Sequence, residues 1–271
     1  MRADNDETFE HFCVHGWMRV RAFSADEAAA MRAVAWRALA DVGIRQIDPS
    51  TWTRERPEHL QHLKDDPAFR AVGGARLLEA IDAVLDGQAY EKPKNWGAPF
   101  LGFPSPQAWS VPSGGWHIDA NYLGPLSPPA GVRTHALFGD VAARAGGTLI
   151  VAGSHRLVHK YFKENPPPPG TRGAGYRKLL RGHPYIRDLH TQGDTGERAA
   201  RFIGRAEEHD GISLQVVENT GAAGDVILLH PLVLHVATPN TGKAPRFLLS
   251  GGVDLPSMWM GLVKEDSADQ R

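Results

Sequence analysis

The residues whose spacing carries the most chemistry are His117 and Asp119, in Gly114-Gly115-Trp116-His117-Ile118-Asp119. Residues two apart on a strand point to the same face. An extended backbone here therefore presents an imidazole and a carboxylate side by side, with Trp116 and Ile118 opposite. These are two-thirds of the facial triad of two histidines and one carboxylate that holds a non-haem ferrous ion and leaves positions open. A three-residue pattern is weak alone and needs a third ligand from a distant strand. The stretch from Gly224 to His235 offers His230 and His235. Pro231 removes a backbone donor directly after His230 and bends the chain there. His235 has the better claim. Eleven residues later Arg246 opens the apolar run Phe247–Leu249. An arginine on a strand beside the histidine suits a two-pronged pair with a carboxylate. A metal-bound 2-oxo acid with a second, distal carboxylate needs that partner. His230 then reads as a supporting or core histidine.

Rigid elements must hold these groups. Gly16–Phe23 alternates apolar and polar residues, the mark of a half-buried strand. Ser24-Ala25-Asp26-Glu27 is a capping box, and the alanine-rich stretch Ala25–Val42 predicts a helix stopped by Gly43. A second helix is expected at Ala75–Leu85, with Leu77, Leu78, Ile81 and Leu85 forming its core stripe. From about Pro99, short runs between turn residues predict strands at Gln107–Val111, Gly115–Asp119, Arg133–Val141 and Thr148–Ala152. Four more follow at Ser213–Val217, Asp225–Leu229, Val233–Ala237 and Arg246–Val253. With 29 glycines and 20 prolines in 271 residues, this pattern suggests a β-sandwich or barrel flanked by helices.

Between His155 and Ile212 the strand pattern lapses. The segment holds the run Pro166–Pro169 and a charged helix expected near Gly196–Ile203. Its Tyr176, Leu179, Leu180, Tyr185, Ile186 and Phe202 favour a packed insertion over one barrel end, rather than a linker. We place this lid-like insertion at about 156–212 and an N-terminal helical region at about 24–90, within one domain spanning 1–271. Ten Lys and Arg lie between Lys160 and Arg205. They read first as a solvated face and second as contacts for an anionic substrate.

Composition narrows the function classes. The 30 basic and 31 acidic residues give a net charge of −1, which supplies no pull toward nucleic acid. The single cysteine, Cys13, excludes an intramolecular disulfide or a cysteine-clustered metal site. Beside Phe12 and Val14 it reads as a packed apolar residue. The polar, acid-rich start is no signal peptide, and no apolar run approaches the roughly 20 residues of a membrane span. A cytoplasmic protein without membrane or nucleic-acid partners is expected; its oligomeric state is not fixed. The sequence contains no Walker loop, nucleophile elbow or HExxH motif.

Four ordered motifs resemble the phytanoyl-CoA dioxygenase (PhyH) family of iron(II)/2-oxoglutarate-dependent oxygenases. The opening Gly16–Val42 is similar to the family's first strand and capped helix. Trp116-His117-Ile118-Asp119 resembles its proximal metal motif. Gly146-Gly147-Thr148-Leu149-Ile150-Val151-Ala152-Gly153-Ser154-His155-Arg156 resembles its strand ending in Gly-Ser-His. Gly224-Asp225 through His235, with Pro239-Asn240 and Arg246, resembles its distal-histidine and arginine block.

The resemblance implies a mainly β fold with flanking helices (α+β) and a double-stranded β-helix core, the jelly-roll of cupins. It implies His117, Asp119 and His235 on Fe(II), with Arg246 on the C5 carboxylate of 2-oxoglutarate. O2 is then the oxidant, and a small-molecule metabolite is hydroxylated or otherwise oxidised with release of succinate and CO2. Asp119 points to oxygenation, since related halogenases have a small residue there. Many relatives carry Ser or Thr two residues after the distal histidine; here Ala237 takes that place. Thr134 is the first candidate to replace that hydroxyl and Gln107 the second. Asn121 and Tyr122, just past Asp119, are candidates to meet substrate at the mouth, and His155 is expected to be structural or at the cleft rim. Two other classes compete. One is a metal-binding cupin-like sensor or binding protein without oxygenase activity; the other is a zinc hydrolase or isomerase. Arg246 argues for the enzyme, because a bare metal sensor needs no cosubstrate anchor. The acid–base partner of a zinc hydrolase is not visible among the motifs.

Overall fold

The computed structural model describes residues 2–57, 60–120, 124–166 and 180–256, with side chains from position 9 onward. Helix α1 (Arg2–His15) leads into strand β1 (Trp17–Arg21), followed by α2 (Ala25–Asp41) and α3 (Ala75–Val84). Then come β2 (Ala98–Gly102), β3 (Gly131–Leu137), β4 (Leu149–Ala152), α4 (Ser154–Glu164), α5 (Pro184–His190) and α6 (Thr195–Phe202). The chain continues through β5 (Glu207–His209), β6 (Ile212–Glu218), β7 (Asp225–Leu229), β8 (His235–Val236) and β9 (Arg246–Asp254). The strands form a five-stranded sheet, β1-β7-β3-β9-β2, and a four-stranded sheet, β5-β6-β4-β8. Every pairing between strands is antiparallel. This is the mainly β, helix-flanked core expected, with the two sheets facing each other.

Side-chain alternation sorts the core into three layers. Val132 and Ala136 of β3 and Phe247 and Leu249 of β9 pack outward against Met31, Val34, Leu77 and Ile81 of α2 and α3. Leu137, Ile150, Ile227, Leu229 and Leu248 meet between the sheets. Leu149, Val151, Leu214 and Val216 pack outward on the other side, against Leu157, Phe162, Ile186 and Phe202 of α4, α5 and α6. The predicted capping box starts α2: Ser24 Oγ accepts from the Glu27 N–H at 3.2 Å, and the Ser24 N–H donates to Glu27 at 2.7 Å. Each sheet thus has one face against the interior and one under helices, which fixes the register of every strand.

Three expectations change. Residues 107–111 form no strand; the edge strand β2 lies earlier, at Ala98–Gly102, where Pro99 is tolerated because it pairs on one side alone. The stretch before Asp119 is reduced to a single bridge, His117 to His235. The described part of the 156–212 insertion lies along the outer face of the smaller sheet, with its apolar side buried there. Residues 167–179, which include Tyr176 and Leu179, lie outside the described residues. No helix among the described residues is long and apolar enough to cross a membrane.

Candidate metal centre

His117 and His235 face each other as a cross-strand pair. The His117 N–H donates to the His235 carbonyl at 3.0 Å, and the His235 N–H returns to the His117 carbonyl at 2.9 Å. The rings are 4.1 Å apart. Their Nδ1 atoms do the same thing: His117 Nδ1 meets the Gly115 carbonyl at 2.9 Å and His235 Nδ1 the Val233 carbonyl at 3.0 Å. A carbonyl can only accept, so both Nδ1 atoms carry a proton, and Nε2 is the nitrogen each ring has left to offer a metal. The Asp119 N–H donates to the Pro231 carbonyl at 3.1 Å, and Asp119 Oδ2 lies 3.7 Å from His235 Nε2. One ligand atom from each of the three residues falls within 4.8 Å of the others, the single such cluster among the described residues. Two imidazoles and one carboxylate form the donor set of a ferrous ion. Burial foremost keeps His235 below its usual pKa, which favours the unprotonated ring a metal requires.

The carboxylate is held from behind. Arg133, on the inward face of β3, places Nε 3.8 Å from Asp119 Oδ2 and pairs its other edge with Asp254 at 2.7 Å. Asp254 thus shares the guanidinium that would otherwise compete with a metal for Asp119.

Two adjoining compartments open here. The first, about 440 Å³, is walled by His117, His235, His135, Thr148, Leu248, Phe100 and Arg56. The second, about 260 Å³, holds Arg246, Gln107, Gly146, Thr238 and Glu55. Arg56 and Ala237 border both. Arg246 is buried, and burial foremost pulls its pKa down to about 10. It donates to the Gly146 carbonyl at 2.7 Å, while its Nε has no hydrogen-bond partner. A buried guanidinium with an orphaned N–H, and with no carboxylate paired to it among the described residues, fits an incoming carboxylate.

Gln107 shares the Arg246 compartment, with its amide 3.4 Å from Glu55. Thr134 does not fit the expected role. It shares a strand face with Val132 and Ala136, which pack under α2 and α3, and lines neither compartment. The strand parity turns His135 inward instead. His135 is buried, lies 6.0 Å from the His235 ring, and is held neutral by burial first, with a pKa of about 3. Thr148 joins it in the wall. Both were missed as site residues, although the alternation Val132-Arg133-Thr134-His135-Ala136 already set an apolar face against a polar one. Asn121 and Tyr122 lie outside the described residues.

The Gly-Ser-His motif positions the backbone beside His235. Gly153 has φ +82°, and a Cβ there would strike the Ser213 carbonyl. Ser154 Oγ accepts from the Leu234 N–H at 2.9 Å, next to His235. His155 donates to the Cys13 carbonyl at 3.0 Å, tying α4 to α1. His230 supports structure as expected: its Nδ1 accepts from the Leu232 N–H at 3.1 Å, and its Nε2 donates to the Leu126 carbonyl at 3.2 Å. Thr238, next to Ala237, donates its hydroxyl to the Gly147 carbonyl at 2.8 Å.

Two imidazoles and a carboxylate at the open end of a double-stranded β-helix, with a buried arginine alongside, define the non-haem iron oxygenase class. The chain belongs to the phytanoyl-CoA dioxygenase (PhyH) family, whose profile matches residues 12–248. No curated protein matches it. Among solved structures it is similar to the epimerase SnoN in complex with Fe3+, alpha ketoglutarate and nogalamycin RO. The identity is 16%, covering 100% of this chain and 93% of that one, with a TM-score of 0.57. It is also similar to AviO1 from Streptomyces viridochromogenes Tue57, at 18% identity over 94% of this chain and 96% of that one, TM-score 0.54. A third, EctD from S. alaskensis in its apoform, shares 18% identity over 98% of this chain and 81% of that one, TM-score 0.53. Likeness at this identity speaks for the fold. Family membership makes the protein an iron(II)/2-oxoglutarate-dependent oxygenase, an oxidoreductase using O2, and sets aside the sensor and zinc-hydrolase readings.

Proposed function

We propose that His117, Asp119 and His235 hold the iron and that Arg246 receives the far carboxylate of 2-oxoglutarate. The enzyme then hydroxylates, or otherwise oxidises, a small metabolite with release of succinate and CO2. The observation that carries this reading is the matched imidazole pair, both Nδ1–H groups spent on backbone carbonyls. When bound, iron with 2-oxoglutarate and O2 supplies the oxidising power for an unactivated C–H bond.

The chain's own residues bind, orient and exclude water. Arg133 and Asp254 fix the carboxylate of Asp119. Arg246 gives the cosubstrate its direction, and Gln107 is placed to turn its amide from Glu55 to the same carboxylate. His135 and Thr148 are the polar wall beside Ala237, where a hydroxyl is lacking. Phe100 and Leu248 make the iron compartment partly apolar. Asn121 and Tyr122, which follow Asp119 in the sequence, are our candidates for contact with substrate. We read the chain as one domain, and the enzyme as cytoplasmic, where Cys13 stays reduced.

The test is anaerobic addition of ferrous iron, then 2-oxoglutarate. A visible metal-to-ligand charge-transfer band is expected in the wild type, and its loss with loss of iron in His235→Ala. Fully reconstituted wild-type protein without the band would overturn the assignment.

A further inference from the structure

Arg56 stands between the two compartments, bordering both. It reaches that place on a short strap after α2. Trp52 anchors the strap against Trp36 and Phe103, with ring centroids 6.0 and 5.3 Å apart. The Phe103 N–H donates to the Glu55 carbonyl at 2.7 Å. The backbone on one side of Arg56 is therefore fixed. The neighbouring carboxylate, Glu55, is turned away onto Ser105 and Gln107. Among the described residues Arg56 makes no ion pair; its guanidinium lies 5.3 Å from the centre of the Phe100 ring. Arg246 lies 5.0 Å from the same ring.

A guanidinium against an aromatic face keeps its N–H edge free and its orientation set, the state suited to a planar or phosphate oxyanion. The two arginines differ in what they reach. Arg246 is buried and borders only the smaller compartment, whereas Arg56 is exposed at the rim and also walls the compartment of His117 and His235. On the reading above, on which this inference rests, the two ends of 2-oxoglutarate already have partners in the iron and Arg246. Arg133, the other inward cation, is shared by Asp119 and Asp254.

We propose that Arg56 docks an anionic group, a carboxylate or phosphate, of the primary substrate as it enters the iron compartment across Phe100. The compartment's volume of about 440 Å³ lies toward the small end of ligand pockets, roughly 300–1,000 Å³. The substrate class is thus a small anionic metabolite whose charged end sits at the rim and whose apolar part faces the iron.

The test uses full-length protein loaded with Co(II), which does not turn over, and with saturating 2-oxoglutarate. Binding of 2-oxoglutarate is measured first, by calorimetry. Hexanoate, phenyl phosphate and the neutral control hexan-1-ol are then titrated, reading the broadening of their proton NMR lines by Co(II). In the wild type both anions bind saturably and about tenfold more tightly than hexan-1-ol, the size of one charge-assisted contact. In Arg56→Ala that preference is lost while 2-oxoglutarate affinity stays within twofold, and Arg56→Lys regains part of it. Loss of 2-oxoglutarate affinity in Arg56→Ala with unchanged probe binding would overturn the proposal and assign Arg56 to the cosubstrate. Equal binding of anions and hexan-1-ol in the wild type would overturn it too, leaving a solvated surface cation. Failure of wild-type protein to bind 2-oxoglutarate, seen before any probe is added, would overturn the cosubstrate reading and this one with it.

Discussion

Arg246→Met should make the ligand-free protein more stable and the cosubstrate-bound protein less so. Arg246 is 4% exposed and, among the described residues, its guanidinium has one hydrogen bond at 2.7 Å and no carboxylate partner. The gap between its pKa of about 10 and an arginine's usual value corresponds to about 3 kcal/mol of destabilisation. That cost is present at every pH below about 10, where the group is charged both folded and unfolded. Methionine fills similar space, removes the buried charge and gives up about 1 kcal/mol for the Gly146 hydrogen bond. The net gain is about 2 kcal/mol, or roughly 5 °C in the melting temperature of a chain this long. With 2-oxoglutarate at a hundred times its Kd, the wild type gains about 2.7 kcal/mol. The variant, missing a buried charge-assisted pair, should bind it about a hundredfold more weakly. Melting curves with and without 2-oxoglutarate, in metal-loaded protein, should therefore cross in order. A variant that melts below the wild type without ligand and keeps its 2-oxoglutarate affinity would refute this reasoning, because Arg246 would then be a structural strut.

Asp254→Asn leaves Arg133 with Asp119 as its charged partner, so ferrous affinity should fall about tenfold; metal titration monitored by calorimetry reads it, and an unchanged affinity would exclude the relay. Arg198 donates to the carbonyls of Val111, Pro112, Asp188, Leu189 and Thr191. Arg198→Met should cost about 3–5 kcal/mol, a drop of roughly 10 °C in melting temperature, with ferrous affinity retained by the protein that stays folded. Burial foremost lowers the pKa of His155 to about 4 and holds that of His230 well below its usual value. Both therefore stay neutral in the fold while the unfolded chain takes up protons below about pH 6.5. Stability is complete above that pH and is lost as pH falls toward 4, by about 1.4 kcal/mol per pH unit for each histidine. Denaturant titrations of metal-free protein at pH 7 and 5 check the slope; equal stabilities would contradict the buried neutral assignment.

The cluster of His117, Asp119 and His235 was legible because each member came with a neighbour that explained it: Asp119 two residues from His117, and Arg246 at strand distance from His235. The strands that pack on both faces, such as β7 with its unbroken Val226–Leu229, were legible from hydrophobicity. What the residue pattern obscured was parity and contact order. A hydroxyl drew attention to Thr134, although Val132 and Ala136 place it on the helix side. β2 was hidden by Pro99 and by the glycines at its ends, which an edge strand accommodates. Arg198 read as one of many surface cations. Its five carbonyl acceptors come from the Val111–Pro112 loop and the end of α5, and hydrogen bonding to distant main chain leaves no trace in local sequence.

On the proposed ligand assignment, the reciprocal bonding of His117 and His235 would make the metal a proofreader of assembly. A slip of β8 by one residue would turn His235 outward and bring Val236 or Leu234 into its place, since side chains alternate along a strand. Misregistered chains would thus lose the third ligand outright rather than bind iron poorly. Metal capture during synthesis would then draw the population toward the single correct alignment of two very short extended segments, which their few backbone bonds specify only weakly.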